Sequence, residues 1–455
     1  MKILQVVHSL PSFSQGGTEI YAFDSASELS KKHQVYIFSR YSDLKQADYF
    51  VRKEIISGIN VYLINNTFRD YDSFELSYQN PNIDKKFAQL LDEIKPDIVH
   101  IHHLAFLSLG IIEKAKERDI PLIFTLHDYW LACPKWHLLK AGQFPCEKAA
   151  AGLFGEECGS CLRDILKIKP GAVMAYYWLK KLLPGYLLKY LIKAYFHFSN
   201  APSLDAAGQL KKRAVRARAA IENIDLFISP SQYVKDQFIR FGIDPGKILL
   251  YYPSLNMPKA RTVQGKSAGK ICFAFAGTII PAKGLHVLIE AFNGIKSDIA
   301  VLKIYGKLKD YPGFEGYLRS LKRSVRNKFI KFIGEFRHEE IGEVLDSVDV
   351  LIVPSVWQEN SPLIIRESFL LKIPVIASRA GGIPELINDG INGFLFEPGN
   401  AGELQEKLEY VINNPGVLGR LKENMAQARP PEDSLNEIEN IYRSLIKTNE
   451  KVYAA

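Results

Sequence analysis

Pro354 to Phe369, PSVWQENSPLIIRESF, follows a continuous apolar run, DVLIVP from Asp349, and opens a segment with helical spacing. A strand-to-helix turn is the reading. Ser361 is placed to cap the helix and Pro362 suits its first position, which leaves free amide N–H groups and the positive end of the helix dipole above the strand. A phosphate fits there. Glu359 falls just before the helix and Glu367 about a turn and a half inside it, two carboxylates that can accept hydrogen bonds from a diol in one cleft. A second turn of the same kind follows PVIAS from Pro374: Gly381 and Gly382 permit close backbone approach to a phosphate, and Pro384 can begin another helix.

Outward from this turn, short apolar runs alternate with helical segments along most of the chain. ILQVV from Ile3, QVYIF from Gln34, DIVHI from Asp97, PLIFTL from Pro121 and DLFIS from Asp225 form a first series. Pro253, Pro258, Gly265 and Gly269 then break the pattern. A second series runs from KICFAFAG at Lys270 through AVLKIYG at Ala300, KFIKFIG at Lys328, DVLIVP and PVIAS. The expectation is an α/β chain of two doubly wound, Rossmann-like domains facing a cleft, over residues 1–253 and 254–430, with a closing helix in 431–455 that returns to the N-terminal domain. Residues 130–205 do not fit the alternation and form an insertion. Open sheets bind ligands at the carboxyl ends of their strands, so the substrate belongs between the domains.

The 455 residues include 58 Lys plus Arg against 50 Asp plus Glu, and 47% are apolar, which excludes wholesale disorder, collagen and coiled coil. Arg163 to Ala219 holds 12 basic and 2 acidic residues, so one block supplies the whole +8 excess. That block has no zinc-finger, RRM or helix-turn-helix signature, so nucleic acid is not the expected partner. Ala172 to Phe198 combines Tyr176, Tyr177, Trp178, Tyr186, Tyr190, Tyr195, Phe196 and Phe198 with interspersed Lys, and Lys211, Lys212, Arg213, Arg216 and Arg218 follow. Aromatics with Lys suit an anionic membrane surface, and an ordinary helical hairpin with a solvated basic face is the other reading. No run is apolar enough to span a bilayer, and the apolar run near Met1 is too short for a signal sequence. The expected location is cytoplasmic, peripheral on the inner face of the membrane.

The paired Glu359 and Glu367, GGIPE from Gly381, AGTIIPAKG from Ala276, Gly16 and Gly17, and TLHD from Thr125 together resemble the retaining nucleotide-sugar glycosyltransferases of the GT-B fold, family four. The resemblance covers most of the chain. It implies that Glu359 contacts the donor sugar, Glu367 the nucleotide ribose, and Lys283 the diphosphate. The Gly16–Gly17 loop would hold the same phosphates or the acceptor, and Asn360, Ser361 and Leu363 would complete the donor site. His127 would lie beside the reacting sugar, as a catalytic residue with Glu359. No metal or cofactor is implied for the transfer, because amides, Lys283 and a helix end balance the leaving diphosphate. The chain departs from the family at Thr278, where an Arg usually stands. The implied donor is a UDP or GDP hexose and the acceptor a saccharide or lipid-linked saccharide. A GT-B binding or scaffold protein without turnover and a nucleotide-sugar epimerase are the alternatives.

Cys133, Cys146, Cys158 and Cys161 crowd the start of the insertion, the last two as C-x-x-C. Four thiolates in one loop suit a structural tetrahedral zinc, with disulfides and free thiols as the other readings. His100, His102 and His103 follow a strand, where alternation sends neighbours to opposite faces, and are read as structural.

Overall fold

The computed structural model describes residues 1–14, 16–70, 73–139, 146, 158, 161, 187, 205–251, 269–308, 314, 316–425 and 431–453. The N-terminal half builds a sheet from β1 (Lys2–Val7), β2 (Gln34–Tyr41), β3 (Val51–Ile56), β4 (Ile59–Asn65), β5 (Ile98–Ile101), β6 (Leu122–Thr125), β7 (Leu226–Ser229) and β8 (Ile248–Leu250). Their order is β3-β4-β2-β1-β5-β6-β7-β8, parallel except for the antiparallel β3–β4 hairpin. The C-terminal half builds β9 (Ile271–Ala276), β10 (Ala300–Tyr305), β11 (Ile330–Gly334), β12 (Val350–Val353), β13 (Val375–Ser378) and β14 (Gly393–Phe396), all parallel in the order β11-β10-β9-β12-β13-β14. Sequence reading named neither the β3–β4 hairpin nor β8 and β14. β3, β8 and β14 are the sheet edges, and β3 and β8, half solvated or short, carry weaker apolar runs than buried central strands; β4 is buried between β3 and β2.

Period-two alternation gives each sheet a core on both faces. Along β1, Leu4 and Val6 enter one cluster with Phe38, Phe87 and Phe227, and Ile3 and Val7 enter another with Ile37 and Ile98. Along β12, Val350 and Ile352 pack on one face and Leu351 and Val353 on the other. Helices cover both faces, so the loops at the carboxyl ends of the strands are what remains for ligands.

The last helix, Pro431–Tyr453, leaves the C-terminal domain and lies on the N-terminal one. Leu435, Ile438 and Tyr442 enter the cluster of Ile3, Ala22 and Ile98. Burying each is worth about 1.5–3 kcal/mol as an upper figure. Glu439 takes His33 and Lys32, and Tyr251 Oη donates to Ser434 O at 2.8 Å. No helix among the described residues is long and apolar enough to cross a membrane.

A second tie crosses the domains. Glu385 accepts from the backbone N–H of Gln232 (Oε2, 2.7 Å) and of Tyr233 (Oε1, 2.7 Å), the first turn of the N-terminal-domain helix Gln232–Phe241. A carboxylate on two free helix amides is a charge-assisted cap, here supplied from the other domain. Loss of such a cap costs about 0.5–2 kcal/mol. Glu385→Ala is therefore expected to enlarge the radius of gyration measured by X-ray scattering; an unchanged scattering profile would show that the two domains hold their arrangement without this carboxylate.

Candidate active site

Loops from both sheets enclose a cleft of about 880 Å³. On the C-terminal side β12 ends at Val353, and the loop to helix Leu363–Leu370 carries Ser355, Trp357, Glu359 and Asn360 to the cleft wall. Glu359 is 4% exposed and accepts from Lys283 Nζ at 2.7 Å and from Ser355 Oγ at 2.6 Å. Lys283 closes the short 3-10 turn Pro281–Lys283 after β9, and its Nζ lies 5.1 Å from the Trp357 ring centroid. Gly284 makes this approach feasible: it has φ +69°, and a Cβ there would fall 1.7 Å from Pro354 O. One cation is thus held 2.7 Å from a buried carboxylate at the mouth of a strand-end cleft.

Two expectations for this loop need correction. Ser361 is not the helix cap: Pro362 occupies that position without a side-chain cap bond, and the Ser361 Oγ is buried with no hydrogen-bond partner. Pro362 has ψ 118°, outside the helical region, so the helix starts one residue later. Gly381 and Gly382 do not present their amides to the cleft. Gly381 N donates to Gln358 Oε1 and Gly382 N to Glu359 O, both at 2.7 Å. A Cβ at either would lie 2.0 Å from the carbonyl oxygen of Glu359 or Asn360. The glycine pair braces the back of the Glu359 loop, and Pro384 sits in a single 3-10 turn, Ile383–Glu385.

Unsatisfied polar groups gather on that loop. Asn360 Oδ1, Ser361 Oγ and Trp357 Nε1 are buried and unpartnered, and all three residues line the cleft. Orphans of this kind cost about 1–3 kcal/mol each unless a ligand meets them. Glu367, 4% exposed in the same wall, has its carboxyl pushed up to about 7 by burial first, then by the charge of Asp24, with Arg366 opposing. His338 Nε2 lies 3.7 Å from Glu367, but burial lowers the pKa of that imidazole, so it does not supply a neutralising charge at pH 7.

On the N-terminal side, Gly16 and Gly17 begin helix Gly17–Ser30 and line the cleft, and a Cβ on Gly17 would touch Leu363 Cδ1 at 3.5 Å. His127, two residues beyond β6, also lines it; Asn360 Nδ2 donates to His127 O across the domains. Burial first of all lowers the His127 pKa to about 3. His102 Nδ1 lies 3.1 Å from His127 Nε2, and His103 Nε2 lies 2.7 Å from Asp128 Oδ2. Both partners were read from the sequence as structural. The alternation argument fails because β5 ends at Ile101, so His102 and His103 sit on the loop beyond it, beside the equivalent loop after β6. Position one and two past a strand end was the available signal. Lys307, Arg337 and Arg366 line the cleft as well, and no motif in the sequence singled them out. Thr278 lines the same cleft.

Residues 256–428 match the family model of Glycosyl transferases group 1, and residues 15–152 that of Glycosyltransferase Family 4. The chain belongs to these glycosyltransferases. Among family relatives, an uncharacterized glycosyltransferase of Methanocaldococcus jannaschii is 29% identical over 208 residues, 45% of this chain and 54% of that one. A D-inositol 3-phosphate glycosyltransferase of Streptomyces bingchenggensis is 25% identical over 227 residues, 46% and 50% respectively. The chain spans about half the length of these curated relatives. The solved Anabaena HepE structure with UDP and glucose has TM-score 0.65 at 17% identity, covering 98% of this chain and 100% of that one. Sucrose-phosphate synthase from Thermosynechococcus elongatus has TM-score 0.67 at 16% identity, covering 98% and 99%. At these identities the likeness shows the fold, which is GT-B.

Two further expectations meet the structure of this glycosyltransferase away from the cleft. Among the described residues, which include all five cysteines, no group of three or more His, Cys, Asp or Glu is gathered to hold a metal ion, and no disulfide forms. Cys133 lies in the apolar core, where burial pushes its thiol up to about 11, and Cys146 and Cys158 pack against that core. Of the five basic residues after the aromatic stretch, one is buried and two are half-buried and partnered. Arg213 is 2% exposed and donates to the carbonyls of Trp130 and Leu131, Arg216 pairs with Glu113 at 2.5 Å, and Arg218 donates to Phe241 O at 3.0 Å. Lys211 and Lys212 stay exposed, and Ala172 to Phe198, apart from Leu187, lies outside the described residues.

Proposed function

We propose that this protein transfers a hexosyl group from a nucleoside diphosphate sugar to a saccharide or lipid-linked saccharide, with retention of anomeric configuration. What carries the reading is the wall of the cleft: the Lys283–Glu359 pair beside the orphaned polar atoms of Trp357, Asn360 and Ser361. A glycosyl diphosphate offers what each lacks. Its phosphate oxygens compete with Glu359 for Lys283, and its sugar hydroxyls reach Asn360 Oδ1 and Ser361 Oγ. The ribose diol meets Glu367. Charge building on the leaving diphosphate is met by Lys283 and by the amide end of helix Gly17–Ser30, so the chemistry needs no metal ion. UDP is favoured as the nucleotide, since solved GT-B neighbours hold UDP or UDP-glucose. A lipid-linked acceptor at the membrane surface is supported by the Tyr- and Lys-rich stretch 172–198.

The test has two stages. A melting screen of UDP, GDP and ADP sugars is expected to single out UDP donors, a ligand at 100 times its Kd adding about 2.7 kcal/mol of stability. Turnover of that donor with saccharide acceptors, with the product's anomeric configuration read by NMR, then separates a transferase from a scaffold. Stabilisation by donors without any transfer or hydrolysis favours the scaffold. For the membrane arm, the protein is expected to sediment with anionic vesicles at low salt and to be released as salt rises; equal binding to neutral vesicles, or none, removes the lipid-linked acceptor.

A further inference from the structure

Behind His127 stands a row of buried imidazoles. His100 Nδ1 lies 2.6 Å from Tyr442 Oη on the closing helix and its Nε2 lies 2.7 Å from Thr125 Oγ1, so both nitrogens are occupied. The His102 ring lies against His100, tilted 34° with 4.2 Å between centroids, and its Nδ1 lies 3.1 Å from His127 Nε2. His102 is 0% exposed, and its Nε2 has no partner.

Two nitrogens 3.1 Å apart share one proton, and the orphaned His102 Nε2 decides which side holds it. If His127 Nε2 carried the proton, His102 Nδ1 would have to accept. A neutral His102 would then carry its own proton on Nε2, an N–H buried without an acceptor. Buried N–H groups without an acceptor are rarer than buried acceptors short of a donor, so a bare Nε2 lone pair is the lesser of the two defects. Charging His102 is opposed by burial and by the neighbouring His100, and charging His127 by burial first of all, which outweighs the pull of Asp128 and Glu19.

We propose that His102 is a positioning residue that fixes His127 as the Nδ1–H tautomer, so that His127 meets the cleft as a neutral hydrogen-bond donor to an oxygen of the bound glycosyl donor. The identity of that oxygen rests on the donor-site reading; the tautomer does not. His102 Nδ1–H donates to His127 Nε2, which leaves Nδ1–H as the nitrogen of His127 open to the cleft it lines. His127 therefore acts by donating to a sugar hydroxyl or phosphate oxygen rather than by taking a proton. Tyr442, by holding His100, ties the placement of this pair to the closing helix.

Long-range proton–nitrogen NMR of protein labelled with nitrogen-15 histidine reads the tautomer directly without substrate. The wild type is expected to show His127 with a protonated Nδ1 and a bare Nε2 resonating far downfield, the signal being assigned by its loss in His127→Gln. His102→Gln, whose amide can still donate, keeps that pattern. His102→Phe fills the space without a donor and is expected to move His127 toward the Nε2–H form and to lower kcat/KM about tenfold, as befits one neutral hydrogen bond. A wild-type His127 protonated at Nε2, or an unchanged pattern in folded His102→Phe protein, overturns the tautomer assignment. A changed tautomer with wild-type turnover overturns the contact to the sugar donor while leaving the rest of the donor site standing.

Discussion

Lys283→Ala is expected to lower kcat/KM for the sugar donor by about 10²–10³-fold, some 2.7–4 kcal/mol of transition-state stabilisation, the usual loss when one fixed donor to a developing anion is removed. The reason lies in the pair it forms. At rest the Lys283 Nζ sits on Glu359 at 2.7 Å, a carboxylate 4% exposed whose other partner is Ser355 Oγ. A departing diphosphate adds negative charge where this cation already points, so the interaction strengthens as the bond breaks and the loss falls on kcat. Glu359→Gln gives the converse split. The amide oxygen still accepts from Ser355, but Lys283 is left without its counter-charge and should hold the donor diphosphate as tightly as before or tighter, while kcat drops. Lys283→Arg should recover only part of the rate, since a planar fork does not reproduce a point charge in the same space. Wild-type kcat/KM in Lys283→Ala would end the assignment of this lysine to the diphosphate.

Nucleotide affinity is expected to climb about tenfold per pH unit from pH 5 toward pH 7 and to level off above, because a carboxylate that accepts from both ribose hydroxyls must first ionise. Burial and the Asp24 charge push the Glu367 carboxyl up to about 7, and Asp24 itself is raised to about 6 by burial, then by Glu28 and Glu339. Arg366 acts the other way, and burial disfavours the charged form of His338. Stability has the opposite sign. Between the ordinary Glu range near 4.5 and pH 7, the folded chain holds a proton at Glu367 that the unfolded chain releases, so this group favours folding at low pH and that contribution is lost as pH rises through about 7. Calorimetric titration of the nucleotide at several pH values, with the proton uptake read from buffers of different ionisation heat, checks the binding arm. Glu367→Gln should bind weakly with a nearly flat pH profile and should lose its share of the stability slope. A wild-type affinity independent of pH between 5 and 8 would show that Glu367 does not take the ribose as a carboxylate.

Much of the architecture is local information and was open to reading from the chain. Continuous apolar runs such as ILQVV and DVLIVP announce strands buried on both faces, and the Pro and Gly breaks after Tyr252 separate two series of them. The strand-to-helix turn with Glu359 and Glu367 is local in the same sense, since a few neighbouring residues set both its conformation and the spacing of its carboxylates. What required the tertiary structure was every partnership between distant residues. Lys283 reaches Glu359 across 76 positions, Glu385 reaches Gln232 across 153, and Tyr442 reaches His100 across 342. No propensity encodes these meetings, because they depend on strand order and on how the two sheets face each other. Gly381 and Gly382 illustrate the limit: glycine signals that something comes close, and only the fold shows that it is the backbone of Glu359 and Asn360 rather than a phosphate. Arg213 illustrates it for charge. In the chain it is one of twelve bases in a block, and in the fold it is buried beneath the carbonyls of Trp130 and Leu131, because burial is a property of what packs around a residue and not of the residue.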